Sequence, residues 1–156
     1  MGLIIGPTPW WQSNLIAACP AGTTLLDGSR IISKAGGTAY IVAPACTQVG
    51  STWAGGQYNS TLVGDKCCIC EWPGLNTLLI QCGFNPCDWC VPSQSDLFTF
   101  GYNCRTNWDT FASTFYWSST EASSTISCSV GFNNGFQGAN SKTLTSCVRA
   151  FRRVTY

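Results

Sequence analysis

Cys67, Cys70, Cys87 and Cys90 stand as C-x2-C-x16-C-x2-C, a spacing at which four thiolates can close a tetrahedron around zinc. Seven further cysteines, Cys19, Cys46, Cys68, Cys82, Cys104, Cys128 and Cys147, bring the total to eleven, an odd number that leaves at least one thiol unpaired in a monomer. The stretch between the two C-x2-C halves carries a helical pattern rather than the hairpin of a zinc ribbon. Disulfides formed in an oxidising compartment are therefore the favoured reading, with reduced thiols packed as small hydrophobes the third. Cys128 and Cys147 fall in strand-like runs expected to be neighbours and are the first pair to consider for a bridge, whereas adjacent Cys67 and Cys68 serve different partners. No metal and no cofactor are expected.

Other chemistry is scarce. The chain has no histidine, which removes the usual general base, the commonest metal ligand and every Ser-His or Cys-His nucleophilic pair. Seven carboxylates and eight basic residues give a net charge of +1, with only 10% of residues charged against about 25% in ordinary soluble domains. The cluster Arg149, Arg152, Arg153 is too small to track a phosphate backbone, so nucleic acid is not an expected partner. Nowhere is there a run of about 18 apolar residues, so a membrane span is not expected either.

These residues need a frame. At 156 residues, 45% hydrophobic and 13% aromatic, the chain is expected to form one folded domain. Residues 1–30 are rich in Gly, Pro and Thr without clear periodicity and read as an extended arm; residues 31–156 read as the domain. The start MGLIIGPTPWWQSN lacks a basic end and an unbroken apolar stretch, so export by a secretory signal is not expected, and Ile16-Ala17-Ala18-Cys19 is a weak lipoprotein box for the same reason.

Gly36-Gly37 followed by Thr38 to Val42 predicts a turn feeding a strand. Pro73, with Leu75, Leu78, Leu79 and Cys82 at helical spacing and Gly83 beyond, predicts a first helix. Ser93-Gln94-Ser95-Asp96 is a capping-box pattern, and Leu97, Phe100, Gly101 and Cys104 continue a second helix. Strands follow over Phe111 to Trp117, around Cys128, Val130 and Phe132, and over Thr143 to Val154, with Asn134-Gly135 as a turn. Strand, two helices and then several antiparallel strands make an α+β domain.

Three ordered motifs sit on these elements. The segment Cys87 to Leu97, with Trp89, Pro92, Ser93 and Asp96, resembles the "DWxLPSxxEL" entry of Lcl C-terminal-type domains, relatives of the C-type-lectin and formylglycine-generating-enzyme folds. Tyr116-Trp117-Ser118-Ser119-Thr120-Glu121 is similar to their "YWSSTE" signature, and Val130 to Gly135 with Val148-Arg149-Ala150-Phe151-Arg152 to their "xxFxNG … VRAVR" ending. The resemblance covers about residues 65–153. It departs where Cys90 replaces Arg or Tyr and where Cys128 and Cys147 replace aromatics. In physical terms Tyr116 and Trp117 offer large buried area, Ser118 and Ser119 can satisfy backbone groups at a bend, and Arg149 belongs with them as a structural residue.

The resemblance implies a C-type-lectin-like fold, two helices packed on antiparallel strands, of the kind found in virion proteins of tailed phages, including those infecting cyanobacteria. The calcium-binding Glu-Pro-Asn, Gln-Pro-Asp and Trp-Asn-Asp motifs of lectins are missing, and Asn107-Trp108-Asp109 has the right letters in the wrong order. No catalytic motif of the formylglycine-generating relatives is matched. The implied role is a non-enzymatic virion component, a capsid decoration or cement protein or part of the tail. It would act on an extracellular particle assembled in the host cytoplasm, bound to major capsid or tail proteins and to copies of itself. Trp10, Trp11 and Leu15 would anchor the arm, with Tyr102, Trp108 and Phe136 as exposed aromatic contacts. The alternative is a receptor- or glycan-binding module.

Overall fold

The computed structural model describes the backbone of residues 10–156 and side chains from residue 14 onward. It is an α+β domain. In chain order come α1 (Trp10–Ala18), β1 (Arg30–Ala35), β2 (Thr38–Val42), β3 (Val49–Ser51), α2 (Pro73–Gln81) and α3 (Gln94–Asp96), which continues as a π-helical stretch, Leu97–Tyr102. Then follow β4 (Phe115–Glu121), β5 (Ile126–Gly131), β6 (Gln137–Ser141), β7 (Ser146–Val148) and β8 (Phe151–Thr155). Among the described residues no helix is long and apolar enough to cross a membrane.

The eight strands form two sheets, β1-β2-β8 and β3-β7-β4-β5-β6. Gly36 and Gly37 turn the β1–β2 hairpin at φ of 56° and 78°, which a two-residue loop requires and glycine supplies without strain. β2 reads as an unbroken apolar run, Thr38-Ala39-Tyr40-Ile41-Val42, because both faces are covered. Ala39 and Ile41 enter one hydrophobic core; Tyr40 and Val42 enter another. Strand alternation likewise sends consecutive Ile31 and Ile32 of β1 into different cores. β4 does the same with Trp117 and Tyr116. The strands are thus the wall between two cores.

The first core packs α2, through Leu75 and Leu79, with Trp53, Trp72, Phe84 and Trp89. Trp53 meets Trp72 edge-on at 6.0 Å and Phe84 meets Trp89 at 5.4 Å. The second holds Leu97 with Trp108, Tyr116, Phe132 and Phe151. Trp108 is edge-on to Phe132 at 5.1 Å and to Phe151 at 5.5 Å, and each such pair contributes about 0.5–1.5 kcal/mol beyond its buried area. The helix starts follow the sequence: Pro73 occupies the first turn of α2, and the Ser93 hydroxyl accepts from the Asp96 N–H at 3.2 Å.

Several expectations are corrected. Of the expected arm, residues 1–9 lie outside the described residues and the rest is not extended: Trp10–Ala18 is helical, Ile16 is buried in the first core, and residues 22–31 fold back on themselves, with Gly22 N–H bonded to Ile31 O and Ile31 N–H to Thr23 O. The stop signal for α1 comes from β1, where Lys34 Nζ donates to the carbonyls of Ile16, Ala17 and Cys19 at 2.8–2.9 Å. Phe111 does not open a strand, because its neighbours' backbone is taken by side chains: Ala112 N–H donates to the Tyr116 hydroxyl and Thr110 O accepts from Arg149. The run Thr143 to Val154 is two strands in two sheets, divided at Arg149-Ala150, where Ala150 O accepts from Ala43 N–H.

Cys128 and Cys147 do not bridge. β4 lies between β5 and β7, and two inter-strand spacings, about 9–10 Å, exceed the reach of a disulfide. Trp108 is not an exposed contact but is only 4% accessible at the centre of the second core.

Candidate functional site

Two regions collect the polar and reactive side chains. The first is a cleft of about 460 Å³ where the segment 87–96 crosses the sheet β1-β2-β8. Asn85 accepts from the Cys87 N–H at 3.1 Å and sets a single 3-10 turn, Pro86–Asp88, after which the chain extends. Cys90 then exchanges two backbone hydrogen bonds with Phe151 of β8, at 2.9 and 2.8 Å, and Val91 N–H reaches Cys67 O. That anchoring brings Cys87, Asp88, Trp89, Cys90 and Asp96 of this segment to a cleft they line together with Tyr40 of β2 and Phe151, Arg152 and Arg153 of β8.

Electrostatics in the cleft oppose thiolate chemistry. Desolvation of the Cys90 sulfur, then the charges of Cys67 and Asp96, push its thiol up, with Arg153 pulling weakly the other way. A thiol of this kind stays protonated at neutral pH and is a poor nucleophile. Hydrogen bonding and charge from Tyr40, together with Asp96, raise Arg153, which keeps a permanent cation on the rim. The cleft offers a fixed cation and carboxylates beside largely buried aromatic residues.

The four-thiolate set is not assembled. Cys70 is bonded to Cys68, Cys90 faces Cys68 across an isolated bridge, and among the described residues no three His, Cys, Asp or Glu side chains converge as metal ligands.

The second region is a knot of loops around Lys142 and Glu121. Both side chains are buried, 0% and 3% accessible. The ammonium uses all three donors, on Glu121, on Thr61 O and on Ser124 O, the last two at 2.8 Å, and sits over the Trp53 ring. Glu121 in turn accepts from the N–H groups of Val63 and Gly64. One ion pair thereby holds residues 61–64, residues 121–125 and the β6–β7 turn. Leu62 and Leu144 stand on those same segments and Ile126 follows residues 121–125 at the start of β5; all three are exposed, Leu62 by 72% and Leu144 by 52%.

The residues singled out from the motifs are mostly joints of the frame. Trp117 Nε1 donates to Ser51 O at 2.8 Å. Ser118 Oγ donates to Cys128 O and accepts from Thr120 N–H where the β4–β5 register shifts, and Ser119 N–H donates to Pro92 O. The Tyr116 hydroxyl, donating to Gln48 and accepting from Ala112, is buried enough that its phenol is pushed up to about 12. Arg149, 2% accessible, reaches Ala43 O, Thr110 O and the Asp109 carboxylate, stacked over Trp108. Burial alone raises the Asp109 carboxyl, but hydrogen bonds from Arg149, Thr110 and Ala45 outweigh it and hold the group below its ordinary range.

Trp89, Pro92 and Asp96 line the cleft, and Ser93 caps the helix beside it. Among the proposed surface anchors, Leu15 is 43% and Phe136 57% exposed, and Tyr102 is half-buried with its ring against Gly135. The side chains of Trp10 and Trp11 lie outside the described residues. Tyr40, Phe151 and Arg153 in the cleft, and Lys142 in the knot, were not expected as site residues. Arg153 had a signal in the small arginine cluster, and Cys87 and Cys90 in their spacing. Lys142 had none beyond being one of few charges in a neutral chain.

No family model and no curated protein matches this chain, so the family resemblance rests on the three motifs alone.

Proposed function

We propose that this protein is a non-catalytic structural module of a phage virion, a C-type-lectin-like domain that decorates the capsid or sits on the tail and binds other virion proteins and copies of itself. The motifs Cys87 to Leu97, Tyr116 to Glu121 and Val148 to Arg152 supply the link to virion domains. One observation carries the mechanical part: two charged side chains of those motifs, Glu121 and Arg149, are committed to pinning loops, and the loops pinned by Lys142 and Glu121 present apolar Leu62 and Leu144 to solvent, with Ile126 exposed at the start of β5. Exposed aliphatics on rigidly held loops support a contact surface. Leu15 on α1 adds an anchor next to the docked Ile16.

The test is particle incorporation. Tagged full-length protein is expected to sediment with particles in a density gradient, and a chain lacking residues 2–18 to remain in the soluble fractions. Normal occupancy of the shortened chain removes the anchoring role of this segment, and full-length protein that never sediments with particles overturns the virion reading.

The cleft favours a second reading, a receptor- or glycan-binding module. A pocket of about 460 Å³ lined by the charged side chains Asp96 and Arg153 and by largely buried aromatic residues suits a small polar ligand, as a sugar is. Binding on a glycan array, independent of calcium and lost in Arg153→Ala, is the expected result under this reading. No binding at high protein concentration counts against it.

A further inference from the structure

Two cysteines separated by 36 positions meet at the surface: Cys46 Sγ and Cys82 Sγ are 3.4 Å apart and both residues are exposed. Neither sits on a loose end. Cys46 is in the single 3-10 turn Ala45–Thr47, fixed by Asp109 accepting from the Ala45 N–H at 3.0 Å and by Thr47 Oγ1 donating to Pro44 O. Cys82 caps α2, its N–H bonded to Leu78 O at 3.0 Å, and Gly83, at φ of 86°, turns the chain away. The two sulfurs are brought together by the packed backbone.

We infer that Cys46 and Cys82 are a redox-modification site, a latent disulfide that reacts with small-molecule disulfides of the glutathione class and staples the end of α2 to the β2–β3 connection. Closing the contact to a bond of about 2.05 Å needs a sulfur displacement of only about 1.4 Å, within reach of side-chain rotation. Linking residues 36 positions apart restricts a long loop in the unfolded chain, where cross-links act most strongly. The helix so tied carries Leu75 and Leu79 into the first core.

The reaction is two exchanges. Both thiols are exposed, so either can open the reaction, and the steps are the same with the two exchanged. The Cys46 thiolate attacks one sulfur of glutathione disulfide, that S–S bond breaks, and one glutathione leaves as a thiolate that takes up the proton Cys46 released. Cys82 then gives up its proton and attacks the Cys46 sulfur of the mixed disulfide, expelling the second glutathione as a thiol. Two protein sulfurs are oxidised and one glutathione disulfide is reduced to two thiols. No further oxidant enters. The inference stands independently of the virion reading.

Purified full-length protein would be incubated with glutathione disulfide, its remaining thiols blocked with iodoacetamide, and its chymotryptic peptides mapped without reduction. The expected product is a linked pair containing Cys46 and Cys82, with a Tm higher by roughly 5 °C or more than that of the reduced protein. In Cys46→Ser, a change at an exposed position, the linked pair and the Tm rise are both expected to vanish. Recovery of Cys46 and Cys82 as separately alkylated or glutathionylated peptides, linkage of either to another cysteine, or an unchanged Tm on oxidation overturns the inference.

Discussion

Lys142→Met is expected to destabilise the protein by about 3–5 kcal/mol, because it leaves the Glu121 carboxylate buried without its cation. Coulomb attraction alone does not set this figure. Thr61 O and Ser124 O lose their donor at the same time, and three loop segments lose their common tie. Chemical denaturation of the single variants and of Lys142→Met/Glu121→Met checks it. The double variant should recover only the part of the loss due to the unpaired buried charge, since Thr61 O, Ser124 O and the Val63 and Gly64 N–H groups still lack their partners.

The same pair has a signature in acid. Burial alone would raise the Glu121 carboxyl, but the hydrogen bond from Lys142, then those from Val63 and Gly64, and the Lys142 charge hold it below the ordinary range. A carboxyl depressed on folding contributes stability that is complete above its unfolded value, about 4.3, and is lost as pH falls through the lower folded value. Asp109, depressed by Arg149, acts in the same direction. Stability should therefore fall as the medium is acidified below about pH 4, and less steeply in Glu121→Gln.

The second large effect is expected at Arg149. Arg149→Met should cost about 3 kcal/mol, somewhat less than the Lys142 change because Asp109, at 28% side-chain exposure, can turn to water once its partner is gone. Arg149→Lys should rescue little of this. A single ammonium cannot match the guanidinium fork, which meets Ala43 O, Thr110 O and Asp109 at once while stacking on Trp108. Urea denaturation of the two variants separates charge from geometry, and a Lys variant as stable as the parent would show that charge alone suffices.

What could be read from sequence was local. Thr38 to Val42 is the strand its β-branched and aromatic residues predict, and Pro73 to Gln81 is a helix because proline starts it and Leu75 and Leu79 share a face. Asn134-Gly135 makes its turn with Gly135 at φ of 78°, where a side chain would also collide with Tyr102. What could not be read depended on distant partners. α1 is ended by a lysine that arrives in β1, and Ile31-Ile32 looks like a redundant pair until packing on both faces of the sheet gives each its own core. Trp108 beside Asp109 resembles a solvent-facing loop because the arginine that covers it is Arg149, 40 positions later. The sulfur contacts follow the same rule: neither the nearness of Cys46 to Cys82 nor the strand separating Cys128 from Cys147 is encoded in spacing.

The sheet β1-β2-β8 with a filled space on each side has a bearing on how the molecule comes apart. Neighbouring residues such as Tyr40 and Ile41 report to opposite halves, so no strand can peel away without emptying both. Loss of order at one end must therefore spread through the partition to the other, and the chain is built to melt all at once rather than in stages.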